Sequence, residues 1–170
     1  MEEKEIVENI RKEIERIKED SIYSAKGHFE SAKYWRYWNY VLMVASIASV
    51  CASLVFVFSD LGKFCSGFVA IVSGFITMLL VFLNPQKKYL SHHKNGNKYL
   101  TLRNKARIFL EVESKNMSIE QQVESLKKLD SKRNKINKYS LPIASMGYKG
   151  AKKQIEIDKN IQYQVDKGQK

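Results

Sequence analysis

Residues 34–59 read YWRYWNYVLMVASIASVCASLVFVFS: five aromatic rings within seven positions, then nineteen residues, Val41 to Ser59, without one acidic or basic side chain. A second uncharged run, Phe64 to Leu83, follows Asp60 and Lys63, the only charged residues between Val41 and Leu83. At about 1.5 Å of rise per residue, each run makes roughly 28–30 Å of helix, the thickness of a bilayer's hydrocarbon core. Ten residues of the first run and twelve of the second are Leu, Ile, Val or Phe. At roughly −0.3 to −0.6 kcal/mol each in mid-membrane, they supply about −3 to −7 kcal/mol of insertion free energy per helix. A core helix of a soluble bundle ordinarily keeps a polar stripe for water; these runs offer only small hydroxyls. The expectation is an all-α membrane protein built on a two-transmembrane helical hairpin.

Working outward, Tyr34, Trp35, Tyr37, Trp38 and Tyr40 read as a membrane-interface belt, because such rings lie against lipid while their N–H or O–H stays wet. A signal peptide is the wrong description, since forty residues with a charged helical pattern precede the first run; an uncleaved membrane protein is expected. The connection Asp60-Leu61-Gly62-Lys63 is short enough to force a hairpin, which puts both flanks on one side. Net charge is −1 over residues 1–40, zero over 41–83 and +12 over 84–170. Lys87, Lys88, Lys94, Lys98 and Arg103 follow the second run with no acid among them. The positive-inside tendency then predicts that both termini are cytoplasmic, with the basic part drawn to anionic lipid.

The organisation expected is a cytoplasmic N-terminal amphipathic helix and belt over 1–40, the hairpin over 41–83 (41–59 and 64–83), a cytoplasmic helical region over 84–140 and a basic tail over 141–170. Val7, Ile10, Ile14 and Ile17 are spaced three, four, three, a stripe that must bury itself by self-association or on the C-terminal helices. The pattern weakens over Ser21 to Ser31. Asn84-Pro85 ends the second run. A helix from about Gln86 to Ser114 carries Tyr99, Leu102, Ala106 and Phe109 on one stripe, with His92 a heptad before Tyr99. Ser118-Ile119-Glu120-Gln121 is a capping-box pattern for a further helix that Leu141-Pro142 breaks. Ile155, Ile161 and Val165 permit a weak last helix or a frayed tail.

Catalytic chemistry finds no foothold. His92 and His93 are adjacent and point about 100° apart on a helix, so they cannot chelate one ion together. No nucleophile elbow, phosphate-cradling loop or acid–base pair is present; no enzyme, metal or cofactor is expected. Cys51 and Cys65 differ in depth by roughly two helical turns in a hairpin, which disfavours a disulfide, and both read as reduced packing residues. The basic run Lys132 to Lys138 raises nucleic-acid binding, but no nucleic-acid-binding signature accompanies it and a juxtamembrane position explains the charge. Within the spans, Ser46, Ser49 and Ser53 share a small-residue face with Ala45, Ala48 and Ala52. Ser66, Ala70, Ser73 and Thr77 repeat four, three, four, with Gly67 and Gly74 alongside. Small faces let helices approach closely and hydroxyls bond across the contact, so Ser46, Ser49, Ser53, Ser66, Ser73, Gly74 and Thr77 are candidate helix-packing or pore-lining residues of a homo-oligomer.

The stretch Ser24-Ala25-Lys26-Gly27-His28-Phe29-Glu30-Ser31-Ala32-Lys33-Tyr34-Trp35, a two-span hairpin, and then Ser91-His92-His93-Lys94-Asn95-Gly96-Asn97-Lys98-Tyr99-Leu100-Thr101-Leu102-Arg103-Asn104-Lys105-Ala106-Arg107 together resemble the SLATT family, the SMODS- and SLOG-associating two-transmembrane effector domains of bacteria. The resemblance covers roughly residues 5–140. It implies a bacterial antiphage (abortive-infection, CBASS-type) system. A nucleotidyltransferase or nucleotide-sensing protein encoded nearby would make or sense the signal, and the membrane chain would oligomerise and permeabilise the inner membrane. Of the matched residues, His93, Gly96, Tyr99 and Leu102 step by threes along a helix, so that the glycine admits another helix and the tyrosine packs below it. His28 is placed to hydrogen-bond to that surface, and Arg107 completes the structural set. A passive anchor that recruits a soluble partner and a membrane-tethered nucleic-acid binder are the alternatives.

Overall fold

The computed structural model describes residues 2–58 and 63–157, and among them there is helix and no strand. Helix α1 runs Glu2–Phe58, α2 Lys63–Leu83, α3 Pro85–Glu111, α4 Ile119–Tyr139 and α5 Ser145–Lys152. A 3-10 turn, Glu113–Asn116, joins α3 to α4, and a π turn, Lys153–Ile157, follows α5. The connection read at Asp60-Leu61-Gly62, and the tail residues Ile161 and Val165, lie outside the described residues. The chain forms two compact units, Met1–Ser31 with the segment from Ser91 onward, and Ala32–Leu90.

In the first unit the N-terminal stripe buries itself on the C-terminal helices of its own chain. Ile10, Ile14 and Ile17 of α1 share one core with Tyr99, Leu102, Ala106 and Phe109 of α3 and with Leu129 and Ile136 of α4. Fully burying an aliphatic side chain contributes about 1.5–3 kcal/mol, so this cluster accounts for the packing of the three helices. The weakening of the pattern after residue 20 is not a break in the helix. The same face continues through Ser21, Ala25, His28 and Ser31, all buried, but in small or polar residues that carry no hydropathy signal. The Ser21 hydroxyl donates to the Ile17 carbonyl at 2.6 Å, which satisfies it inside its own helix.

The small residues serve the packing of α5, which is a docked helix where a basic tail is expected. Gly27 has room only for hydrogen beside Ile143, whose methyls stand 3.0–3.1 Å from where a Cβ would be. A Cβ on Gly147 would collide with the Ser31 hydroxyl and stand 2.8 Å from the Gly27 carbonyl oxygen. Gly147 and Ala151 are buried, and Gln154 donates to Glu30 at 2.5 Å. Helix α4 begins as its sequence predicts: the Ser118 hydroxyl accepts from the Gln121 N–H at 3.4 Å while the Gln121 side chain accepts from the Ser118 N–H at 3.0 Å. The buried Gln122 amide donates to the carbonyls of Ser114 and Met117, holding the turn before it.

The second unit holds the two apolar runs. Its sharpest feature is Asn84, with φ +42°, the left-handed conformation that asparagine tolerates better than most residues. Its N–H still reaches the Leu80 carbonyl at 3.2 Å and its side-chain oxygen accepts from the Lys87 N–H at 3.2 Å. One residue therefore ends α2 and caps α3, with Pro85 at the first helical position, where a missing N–H costs nothing.

Gly147→Val should undock α5 and lower the stability of the first unit by about 1–3 kcal/mol, the usual cost of overpacking. Faster amide exchange over 145–152 measures it. Met146→Val, at an exposed position of the same helix, should leave exchange unchanged; unaltered exchange in the Gly147 variant would contradict the close contact.

Candidate functional site

Two arrangements carry the residues singled out by sequence. In the second unit, the apolar side chains of both runs point away from their own chain: Val44 is 60% exposed, Ile71 73%, Phe75 60% and Phe82 83%. One contact between the runs is a small polar pair. The Ser46 and Thr77 hydroxyls lie 3.0 Å apart, and Ser73 is buried. Thr77 also meets the Ser73 carbonyl at 2.9 Å, while Ser49 and Ser53 donate to the carbonyls of Ser46 and Val50 three residues back. Ser66 is half-buried. A Cβ on Gly67 or Gly74 would meet nothing within 4 Å. The candidate residues thus divide. Ser46, Ser73 and Thr77 join the two helices, Ser49 and Ser53 close on their own helix, and Gly74, with Gly67 two turns before it, lies on an open flank. Cys51 and Cys65 are exposed free thiols.

The belt residues form a connected aromatic group. Tyr34 meets Trp35 and Trp38 edge-on at 5.6 and 6.2 Å between ring centres, and Tyr37 meets Trp38 at 6.0 Å. The Lys88 ammonium stands 4.2 Å from the centre of the Trp35 ring, a cation–π contact that ties the start of α3 to α1 within this unit. Tyr37 and Tyr40 are largely exposed.

In the first unit, the matched residues of α1 and α3 build a buried polar seam. His28 and His92 face each other with their Nδ1 atoms 2.9 Å apart. Such a bond requires one ring to donate and the other to accept, so the two imidazoles must hold complementary tautomers. Tyr99 stacks on His28 with ring centres 5.5 Å apart, and its hydroxyl donates to the Asn137 side-chain oxygen on α4. The chain His92–His28–Tyr99–Asn137 therefore links three helices. One turn beyond the histidines, Asn95 is buried with its Nδ2 unpaired, although its oxygen accepts from Lys98 at 3.3 Å.

No protein-family model matches the chain, and neither the curated proteins nor the solved structures contain a match.

Gly96 stands where α1 crosses α3: a Cβ there would lie 2.8–3.0 Å from the Phe29 ring. Tyr99 and Leu102 are buried beneath it. His93 is exposed, with its ring edge-on to Phe29 at 5.6 Å, and Arg107 is half-buried. The residue that completes the seam is His92, which the three-residue stepping from His93 passes over. The heptad His92–Tyr99–Ala106 is the signal that finds it. Phe29 and Asn137 have no comparable signal, because a ring meeting a glycine and an amide meeting a phenol leave no periodic trace.

Burial, and secondarily the charge of a protonated His92, hold His28 down at about 4, and burial also lowers His92. Burial pushes the Tyr99 phenol up. Because the folded state keeps His28 neutral while the unfolded chain protonates near 6.5, the unfolded state binds more protons between those values. Stability of the first unit should therefore be full above about pH 6.5 and fall as pH drops towards 4. His28→Asn should flatten that portion of a thermal-melting profile taken across pH 4–8; an equally steep profile in the variant would contradict the role of the pair.

Proposed function

We propose that this chain is an oligomeric membrane effector that permeabilises the bacterial inner membrane when a nucleotide-based signal announces phage infection, as its resemblance to the SLATT family implies. The observation that carries the reading is the exposure of the two uncharged helices. A soluble bundle would turn Ile71, Phe75 and Phe82 inward; here they face outward, and both helices are long and apolar enough to cross a bilayer. Exposed apolar surface of this extent is otherwise a liability in water.

Topology has independent support. The segments before and after the hairpin share one core, with Ile14 of α1 and Leu102 of α3 both fully buried in it. Flanks that pack together stand on the same side of the membrane, and the excess of Lys and Arg outside the runs favours the cytoplasm. Cysteines introduced at Lys4 and Lys115, both exposed, should react with a membrane-impermeant thiol reagent only after the inner membrane is opened. Labelling of either position in intact spheroplasts would sink this topology.

Assembly follows from the solvent. One hairpin cannot enclose an aqueous path, since unpaired polar surface facing lipid is costly, so several copies must line it together. The open flank at Gly67 and Gly74 suits the close approach of a second copy. A passive anchor is favoured by one observation. The hydroxyls of Ser46, Ser49, Ser53 and Thr77 are all engaged within the chain, which leaves few groups to wet a path. Overproduction decides between the two readings: the effector should depolarise the inner membrane and arrest growth, and Gly74→Leu should insert normally yet crosslink and depolarise less. An unchanged membrane potential with normal growth, the natural trigger included, would favour the anchor.

A further inference from the structure

We propose that the groove between α3 and α4 is a binding site for a compact anion carrying two or more phosphate groups. The site is a cleft of about 310 Å³ lined by Lys98 and Thr101 of α3 and by Lys132, Lys135, Ile136 and Tyr139 of α4. Ligand sites typically begin at about 300 Å³, so the volume suits a small ligand.

Its charge arrangement is unusual for a surface whose positive groups merely face water. Among the described residues, no carboxylate lines the cleft or forms a salt bridge with Lys98, Lys132 or Lys135. Lys98 has only the neutral Asn95 oxygen at 3.3 Å. Lys105, seven residues after Lys98 on the same helix, comes close to Lys132. Burial first, and the Lys105 charge second, hold the Lys132 ammonium below its ordinary value. The nearby carboxylates are already committed: Glu124 to Lys128 at 2.6 Å, and Asp130 and Asp20 to Arg133 at 2.6 and 3.4 Å.

The fold brings these side chains to one cleft: Leu102 and Phe109 of α3 pack on Leu129 and Ile136 of α4 in one core, which sets the two helices side by side. A multivalent anion bound there would offset the positive charge of the three lysines through charge-assisted hydrogen bonds. Ile136 and the Tyr139 ring supply an apolar flank, so an organic phosphate with a flat or apolar moiety fits better than a bare ion. The larger cleft of the same unit, about 420 Å³ beside Asp20, Tyr99 and Arg133, is a poorer choice for an anion, because its arginine is neutralised by two aspartates.

The same phosphate chemistry is available from a free solute or from a doubly charged lipid headgroup, and the experiment separates them. The full chain, reconstituted in nanodiscs of zwitterionic lipid, is titrated with tripolyphosphate and with ATP by calorimetry. In a parallel arm, nanodiscs containing cardiolipin are compared with zwitterionic ones for protection of Lys98, Lys132 and Lys135 from acylation, read by mass spectrometry. Binding of either soluble probe, weakened at least tenfold in a Lys98→Gln/Lys132→Gln/Lys135→Gln variant and by added salt, assigns the site to a free phosphate compound. Protection by cardiolipin alone assigns it to a headgroup. Lys149→Gln on α5 combined with Lys153→Gln in the turn after it should bind as the unaltered chain does. Lys132→Gln by itself should raise the melting temperature of the ligand-free protein while reducing the shift that tripolyphosphate produces. Absence of both binding and protection, or equal binding by the triple variant, would overturn the proposal; neither outcome touches the question of whether the hairpin conducts.

Discussion

The large apolar side chains of the described 41–58 and 65–83 segments are mostly exposed, and that constraint shapes the rest of the molecule. Helices satisfy their backbone groups internally, which is what makes them admissible in a solvent without hydrogen bonds. With most of the large hydrophobic side chains turned outward, small residues take part in the contact between the two helices: Ser46 meets Thr77, and Ser73 is buried beside them. In water such a contact would be a weak core. In lipid, close backbone approach and a hydroxyl bond are the available attractions, each worth on the order of 1 kcal/mol.

The first unit follows the opposite rule. Its core is largely aliphatic, and a polar seam is buried within it. His28, His92, Tyr99 and Asn137 form a chain of ring and hydrogen-bond contacts across three helices. A polar seam specifies register, because shifting α1 by a turn against α3 would break the bond between the two imidazoles and take His28 from the Tyr99 ring, at a cost that an aliphatic core would not exact. Close approach at Gly96 and at Gly147 sharpens the same register from the steric side. Asn84 does comparable service in the second unit, ending one helix and starting the next within a single left-handed residue.

How much of this was readable in advance depended on whether a residue acts through a period. The Ile10, Ile14, Ile17 stripe, the Tyr99, Leu102, Ala106, Phe109 stripe and the Ser118 capping box all announce themselves by spacing, and their burial and bonding match it. The continuity of α1 through residues 21–31 did not, because Ser21, Ala25, His28 and Ser31 keep the heptad while abandoning hydropathy. The docking of α5 depends on absent side chains at Gly27 and Gly147, and a missing Cβ has no signature until its neighbour is known. The α3–α4 lysines were visible as two separate features, Lys98 in the acid-free set after the second run and Lys132 and Lys135 in a basic run. Two helices had to be laid side by side before Lys98, Lys132 and Lys135 became one cleft.

The central claim is that the exposed hairpin surface faces lipid. Spin labels placed singly at Val44, Val50 and Val55 of the first run and at Ile71, Phe75 and Val81 of the second, in the chain reconstituted into bilayers, measure this through collision with oxygen and with a water-soluble nickel chelate. The account predicts that oxygen dominates at all six positions, with the widest margin at Val50 and Phe75 near the middle of each run. Nickel reaching Val50 and Phe75 as readily as oxygen would contradict it.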